Sequence, residues 1–282
     1  QLPDVCILPP DDFSGDIGLT LNVTTTEDDG DTNTVSQGFT VTVEGVADDP
    51  TLTTADAAGN EDTAIALNID ADVTDGSESM SITISGVPAD AELSAGTDNG
   101  DGTWTLDGGD LDGLTVTPGA DSNDDFQLTV TATSTDGDDT STTTGTIDVD
   151  VTGVADAPTL TMTTGSGDED TAIALDISSG LSDTDGSETL SVSISDIPDG
   201  STLMSGGVEI TVTDGVADVD PGQLADLTIT PPADYNGSFD LTVTSTATED
   251  DGDTATTTGT LTVDVGAVDD EVAGSTLDVT DA

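Results

Sequence analysis

Apolar and polar residues alternate strictly over several short stretches of the chain. Leu128, Val130 and Ala132 are separated by threonines, as are Leu241 and Val243; Leu190, Val192 and Ile194 are separated by serines. Ile147, Val149 and Val151 alternate with aspartates, and Leu261, Val263 and Val265 with Thr262 and Asp264. A period of two sends successive side chains to opposite faces, so each stretch predicts a strand with one buried and one solvated face. The β-branched content of these stretches agrees with that assignment. No stretch of useful length repeats apolar residues at helical spacing. Between the strands lie Gly- and Asp-rich segments. Asn99-Gly100-Asp101-Gly102 ahead of Trp104 predicts a hairpin turn, because Asn-Gly and Asp-Gly tolerate positive φ. The expectation is an antiparallel all-β protein.

Self-comparison organises these strands into repeats. Glu61-Asp62-Thr63-Ala64-Ile65-Ala66-Leu67 returns as Glu169-Asp170-Thr171-Ala172-Ile173-Ala174-Leu175, an offset of 108. Val46 to Pro50 returns at the same offset as Val154 to Pro158, and Asp75-Gly76-Ser77-Glu78 matches Asp185-Gly186-Ser187-Glu188. Thr117-Pro118 with Phe126 matches Thr230-Pro231 with Phe239 at an offset of 113, so the unit is about 110 residues. Ile7 to Gly15 aligns with Ile229 to Gly237, and Glu27 to Asp31 with Glu249 to Asp253. Residues 1–46 therefore read as the last third of a repeat, 47–154 and 155–267 as whole repeats, and 268–282 as a linker opening a further one. The chain reads as a window on a longer array. A sandwich without its first strands exposes backbone edge and half a core, which is hazardous unless something completes it.

Composition changes the picture in two ways. The 282 residues include 60 Asp and Glu and no Lys, Arg or His, for a formal charge of −60. With 33% hydrophobic and 2% aromatic residues such a chain would ordinarily stay disordered, and only the strand pattern argues otherwise. The missing cations exclude phosphate neutralisation, hence direct nucleic-acid binding and polybasic membrane attachment. The missing His and Lys exclude Ser-His-Asp and Cys-His devices, Schiff bases and the P-loop lysine, so no enzyme is expected. Paired carboxylates leave an acidic glycan-binding or hydrolytic module conceivable, but only Trp104 and Tyr235 offer sugar-stacking rings, and no cleft motif accompanies them. Cys6 alone makes no intramolecular disulfide and no Cys/His zinc site. No apolar run approaches membrane-spanning length, and Gln1 to Asp4 lack the features of a signal peptide. Asn22-Val23-Thr24 and Asn236-Gly237-Ser238 fit the N-glycosylation pattern, which also arises by chance.

The carboxylates concentrate at recurring positions. They fall in the inter-repeat linker (Asp48, Asp49, Asp156, Asp269, Asp270), the early Glu-Asp pair (Glu61, Asp62, Glu169, Asp170) and the Asp-Gly-Ser-Glu turn (Asp75, Asp183, Asp185). The last group is the Asp-Gly-Asp turn: Asp28, Asp29, Asp31, Asp136, Asp138, Asp251 and Asp253. About six carboxylates at one end of a sandwich repel by roughly 5 kcal/mol after screening, from ~0.7 kcal/mol per pair at ~6 Å in water. That is comparable with the whole stability of a domain, about 5–15 kcal/mol. Either a counter-ion binds there or the clusters splay into water, as general acidity kept for solubility would allow. Ca2+, which takes 6–8 oxygen ligands, fits this donor set. No linear signature supplies it. Asp183-Thr184-Asp185-Gly186-Ser187 opens like an EF-hand loop, but position 12 is Ile194, and the isolated Gly108-Gly109-Asp110 is not a nonapeptide Ca2+ repeat. The ligands would have to come from separate loops.

A unit of this size with some seven short strands suits an immunoglobulin-like or cadherin-like sandwich. The succession Asp156-Ala157-Pro158, Glu169, Asp183-Thr184-Asp185-Gly186, Pro231 to Gly237 and Asp251-Gly252-Asp253 resembles the cadherin-like repeats of giant bacterial RTX-type and Bap-like surface adhesins. The resemblance covers essentially the whole chain. It implies tandem Ca2+-stiffened sandwiches that hold an adhesive tip away from the cell surface in biofilm formation. It makes Asp156 a linker ligand and Glu61 a ligand from the preceding domain, with Asp183, Asp185, Asp251 and Asp253 coming from the top loops of the following domain. By repeat position Asp48, Asp49, Asp75, Asp136, Asp138 and Glu169 join the ligand set. The first full repeat departs from the pattern, with Val73 in the place of Asp183, which weakens the site near Asp48 and Asp49. The expected role is a non-catalytic extender, extracellular at the cell surface, whose partners are neighbouring repeats. The competing role is a subunit of a self-assembling extracellular filament, in which another copy completes residues 1–46 by β-strand donation.

Overall fold

The computed structural model describes residues 4–183 and 185–269; of the further repeat expected over 268–282, residues 270–282, with Asp270, lie outside the described residues. The chain is all-β. Its first strands are β1 (Gly15–Thr26), β2 (Thr32–Val43), β3 (Thr51–Ala55), β4 (Ala57–Asn60), β5 (Ile65–Ala66), β6 (Asn68–Asp72) and β7 (Ser79–Ser85). Then come β8 (Glu92–Leu93), β9 (Thr97–Asp98), β10 (Thr103–Leu106), β11 (Thr115–Thr117), β12 (Phe126–Asp136) and β13 (Asp139–Thr152). The second half holds β14 (Thr159–Thr163), β15 (Gly165–Asp168), β16 (Ile173–Ala174), β17 (Asp176–Gly180), β18 (Thr189–Ser195) and β19 (Thr202–Ser205). It ends with β20 (Val208–Ile210), β21 (Ala217–Val219), β22 (Leu227–Thr230), β23 (Gly237–Thr248) and β24 (Thr254–Gly266). Two compact units result, residues 1–152 and 153–282.

In the first unit a six-stranded sheet ordered β4-β13-β12-β7-β10-β9 packs on the three-stranded β5-β11-β8, and β3 pairs with β6. The alternating residues supply the core. Ile82, Ile84, Val116, Leu128, Val130 and Ile147 are fully buried, while the intervening threonines stay at least partly exposed. The turn at Asn99 to Gly102 joins β9 to β10, with Gly100 at φ 79° and Gly102 at φ 80°. The second unit repeats the plan with sheets β15-β24-β23-β18-β21 and β16-β22-β19-β20, plus the pair β14-β17. Its core is Ile194, Leu203, Ile229, Leu241, Val243 and Val263.

The ladders are antiparallel with one exception in each unit. β4 lies parallel to β13 and β15 parallel to β24, because the leading strand changes sheets part-way. Residues 51–55 pair with β6, and after Asp56 residues 57–60 cross to β13, where the Asp148 amide donates to Asp56 Oδ1 at 3.1 Å. The first unit also holds the hairpin β1-β2, a two-stranded sheet paired from Gly15–Val43 to Thr26–Thr32. Its apolar positions are uncovered: Leu21, Val23, Val35 and Phe39 are 42–67% exposed.

Candidate metal centre

Each sandwich carries carboxylates at one end, where the linker enters and the long hairpin of its last two strands turns. In the second unit the loop ahead of β18 wraps its own acidic residues around Ser187. The Ser187 amide donates to Asp185 Oδ1 at 2.7 Å, and its hydroxyl reaches Asp185 Oδ1 at 2.6 Å, Glu249 Oε1 at 3.2 Å and Asp183 Oδ2 at 3.4 Å. One hydroxyl has one hydrogen, so it serves these acceptors in alternation. Asp183 Oδ1 also accepts from the Asp185 amide at 2.8 Å, and the linker is tied in where the Asp156 amide donates to Glu188 Oε1 at 2.8 Å. Asp253 Oδ2 accepts from the Ala155 amide at 3.2 Å.

The burial of this group is its unusual property. Asp183 is 2% exposed, Glu249 3% and Glu188 6%, with no cation anywhere in the sequence. Burial pushes the Glu188 and Glu249 carboxyls above the usual glutamate range, and mutual repulsion with Asp183 and Asp185 adds to it. Glu188 Oε2 is buried and accepts no hydrogen bond. An ionised oxygen in that position calls for a donor or a cation. The surrounding donors are all carboxylate and hydroxyl oxygen, the set that suits a hard divalent ion. By this test the residues present fit Ca2+.

The first unit builds the same end with fewer buried charges. The Asp48 amide donates to Glu78 Oε1 at 2.5 Å, and Ser77 donates through amide and hydroxyl to Asp75 Oδ1, both at 2.6 Å. Those two bonds hold the Asp75 carboxyl below its ordinary range, whereas desolvation, then Glu78, Asp12, Asp75 and Asp49, push Asp48 up. Asp136, 8% exposed, accepts from Ser14 at 3.1 Å and from Ser77 at 3.5 Å. Carboxylate oxygens of Asp12, Asp48 and Asp75 lie within 4.8 Å of one another. Asp12 comes from the segment leading into β1, so the cluster joins the hairpin's segment to the sandwich.

The expected ligands thus divide. Asp48, Asp75 and Asp136 gather at the first pole, and Asp156, Asp183 and Asp185 at the second. Asp49 accepts from Ser141 beside the first pole. Asp138 is an exposed turn residue, and Asp251 spends Oδ1 on the Asp253 amide within its own turn. Glu61 and Glu169 are buried, each just after the strand (β4 or β15) that runs parallel to the last strand of its own sandwich. There the Glu61 amide donates to Thr152 O at 3.0 Å, and Glu169 Oε1 accepts from the Val268 amide at 2.8 Å. The sequence motifs do not single out Asp12, Glu78, Glu188 and Glu249 as ligands, nor Asp139, whose Oδ2 accepts from the Ala47 amide at 3.0 Å. The signal for Glu78 and Glu188 was present, since both close the repeated Asp-Gly-Ser-Glu motif.

No protein-family model matches the sequence, and no curated protein matches it. Solved structures of cadherin extracellular repeats do align with it. Mouse Cadherin-23 EC22-24 aligns at 15% identity over 89% of this chain and 74% of that one, with a TM-score of 0.37. Protocadherin Gamma B2 domains 1-5 align at 13% identity over 90% of this chain and 46% of that one (TM-score 0.39). Drosophila N-cadherin EC1-4 aligns at 16% identity over 92% of this chain and 60% of that one (TM-score 0.25).

Proposed function

We propose that this chain is a non-catalytic structural extender: a run of sandwich repeats stiffened by Ca2+ at their acidic poles, of the kind that holds an adhesive tip away from a cell surface in biofilms. The observation that carries this reading is the pole of the second unit, where Glu188 Oε2 is buried without a donor among Asp156, Asp183, Asp185 and Glu249. Bound Ca2+ would supply the missing positive charge there. Glu188, Asp183, Asp185, Glu249 and Asp156 would hold it in the second unit, and Asp12, Asp48 and Asp75 in the first. Ser187 and Ser77 keep the loop carboxylates turned inward, and the linker amides of Asp156 and Asp48 tie the entering chain to the same pole. Each ion then couples loop, linker and hairpin tip, so that bending the linker strains the site. Isothermal titration should show binding at or below millimolar Ca2+, with small-angle scattering widening in EGTA. Absence of both effects removes the reading.

A second reading, a self-assembling extracellular filament completed by β-strand donation, draws on the uncovered face of β1-β2. Electron micrographs of the purified chain separate the two: short rods support the extender, and long fibres of constant width support the filament.

A further inference from the structure

Each sandwich is closed by a parallel seam between its leading segment and its last strand, and in the first unit side chains extend that seam along the whole of β13. At its start the Ala47 amide donates to Asp139 Oδ2 at 3.0 Å and the Ser141 hydroxyl donates to Asp49. Further along, the Thr143 hydroxyl donates to Pro50 O at 2.7 Å, the Thr54 hydroxyl to Thr146 O at 2.9 Å and the Asp148 amide to Asp56 Oδ1 at 3.1 Å. The parallel ladder then runs from Ala57–Val149 to Asn60–Thr152, and the Glu61 amide closes it on Thr152 O at 3.0 Å. Every one of these pairs is separated by 91–93 residues, so the two segments advance in step.

The direction of the two strands decides how the seam meets tension. A pull on the chain enters the leading segment beside the start of β13 and leaves from the end of β13. The two partners are therefore drawn in opposite directions along their common axis. In that geometry the bonds across the seam share the load and fail together. An antiparallel pair drawn apart at its open end loses its bonds one at a time. Forced unfolding follows the rate at which such a barrier is crossed, so bonds loaded together raise the force it needs.

The two seams are unequal. The second unit keeps the bond from the Ala155 amide to Asp253 Oδ2 at 3.2 Å, that from the Thr257 hydroxyl to Pro158 O at 2.6 Å, and the ladder from Gly165–Val263 to Asp168–Gly266, closed by the Glu169 amide on Gly266 O at 2.9 Å. At the repeat offset of 108, however, Asp49, Thr54 and Asp56 become Ala157, Met162 and Thr164. Among the described residues these three make no hydrogen bond to β24. Met162 instead packs on Gly259, where an added Cβ would lie 2.3 Å from its Cε, a contact without direction. We infer that the parallel seam is a mechanical clamp, and that the first unit outlasts the second when the chain is stretched. This goes beyond the calcium reading: none of the carboxylates assigned above to Ca2+ takes part in the first unit's seam, and the test is made in chelator.

The test stretches single molecules of the full chain in EGTA, held by handles fused to both ends. Two unfolding events should appear, each releasing roughly 110 residues at up to ~3.6 Å apiece. The stronger should need about 1.4 times the force of the weaker, in proportion to the bonds sheared together. Asp49→Ala with Thr54→Val and Asp56→Ala should bring the stronger event down to the weaker and leave the weaker where it was. Should that variant fail to fold, the reverse transplant, Met162→Thr with Thr164→Asp, should raise the weaker event toward the stronger. Equal forces in the parent chain overturn the proposal, as does a stronger event unmoved by the first-unit changes or a weaker one unmoved by the transplant. Pulling between Ala47→Cys and Asp138→Cys, with Cys6→Ser, opens the first seam from one end and should need less than half the force; an equal force overturns the shear argument and the proposal with it.

Discussion

Replacing Glu188 by Gln tests the metal reading through a stability gain in chelator that Ca2+ should cancel. Gln keeps the shape of the side chain and an oxygen for the Asp156 amide, now 2.8 Å from Glu188 Oε1, but removes the charge and turns the other terminus into a donor. In chelator the change relieves repulsion from neighbouring carboxylates, Asp183, Asp156 and Asp185 among them. At ~6 Å in water three such pairs amount to about 2 kcal/mol, or about 1 kcal/mol after screening. The new amide hydrogens find carboxylate acceptors where Oε2 had no donor, which adds roughly 1 kcal/mol more. The metal-free second unit should therefore gain about 1–2 kcal/mol. With Ca2+ that gain is cancelled, because a ligand is lost. Calcium at a hundred times its Kd stabilises by about 2.7 kcal/mol, and a tenfold loss of affinity removes about 1.4 of that. Urea-dependent exchange of the β18 and β23 amides reads this unit separately from the first. If E188Q is less stable than the parent in EGTA, or if both gain equally from Ca2+, the unpaired oxygen is not a metal ligand.

Three further outcomes follow from the same geometry. Glu188 and Glu249 are pushed above their ordinary value of 4.5 by burial, so their contribution favours the folded state below that pH and is lost as pH rises through the raised values. Metal-free second unit should thus be more stable near pH 5 than at pH 7.5 by chemical denaturation, with Ca2+ abolishing the difference; Asp75, held low, acts oppositely in the first unit, its contribution fading as pH falls below 3.8. Val73→Asp restores the carboxylate that Asp183 supplies in the second unit and should tighten Ca2+ binding at the first pole at least threefold by calorimetry. Leu241→Ala, at a fully buried position, should cost the second unit about 2–5 kcal/mol, whereas Leu21→Ala on the hairpin should cost under about 1 kcal/mol in urea melts.

The strands were legible because their cores depend on a local period. Leu128, Ile147, Ile194, Leu241 and Val263 all point inward as their alternation requires, and no long-range information is needed to place them on a face. The sheet change at Asp56 was not legible, since it depends on which neighbour the second half of the leading strand meets, and that is decided by packing against β13. The segment opening at Asp183 is no EF-hand loop, since its twelfth position, Ile194, is a fully buried core residue of β18.

The poles were half legible, and the reason is physical. Motif repetition locates a loop but does not say which of its side chains turn inward. In Asp185-Gly186-Ser187-Glu188 the aspartate is the exposed member and the glutamate the buried one, because Asp185 spends its oxygen on its own turn while Glu188 reaches back to the linker. Aspartates near glycine are drawn to such turn bonds by their short side chains. The longer glutamates Glu78, Glu188 and Glu249 are left to span loop, linker and hairpin, and with Asp136 and Asp183 they carry charge out of water in an acidic chain without one cation. The buried carboxylates, more than the total of 60 acidic residues, are therefore what the proposed metal sites rest on.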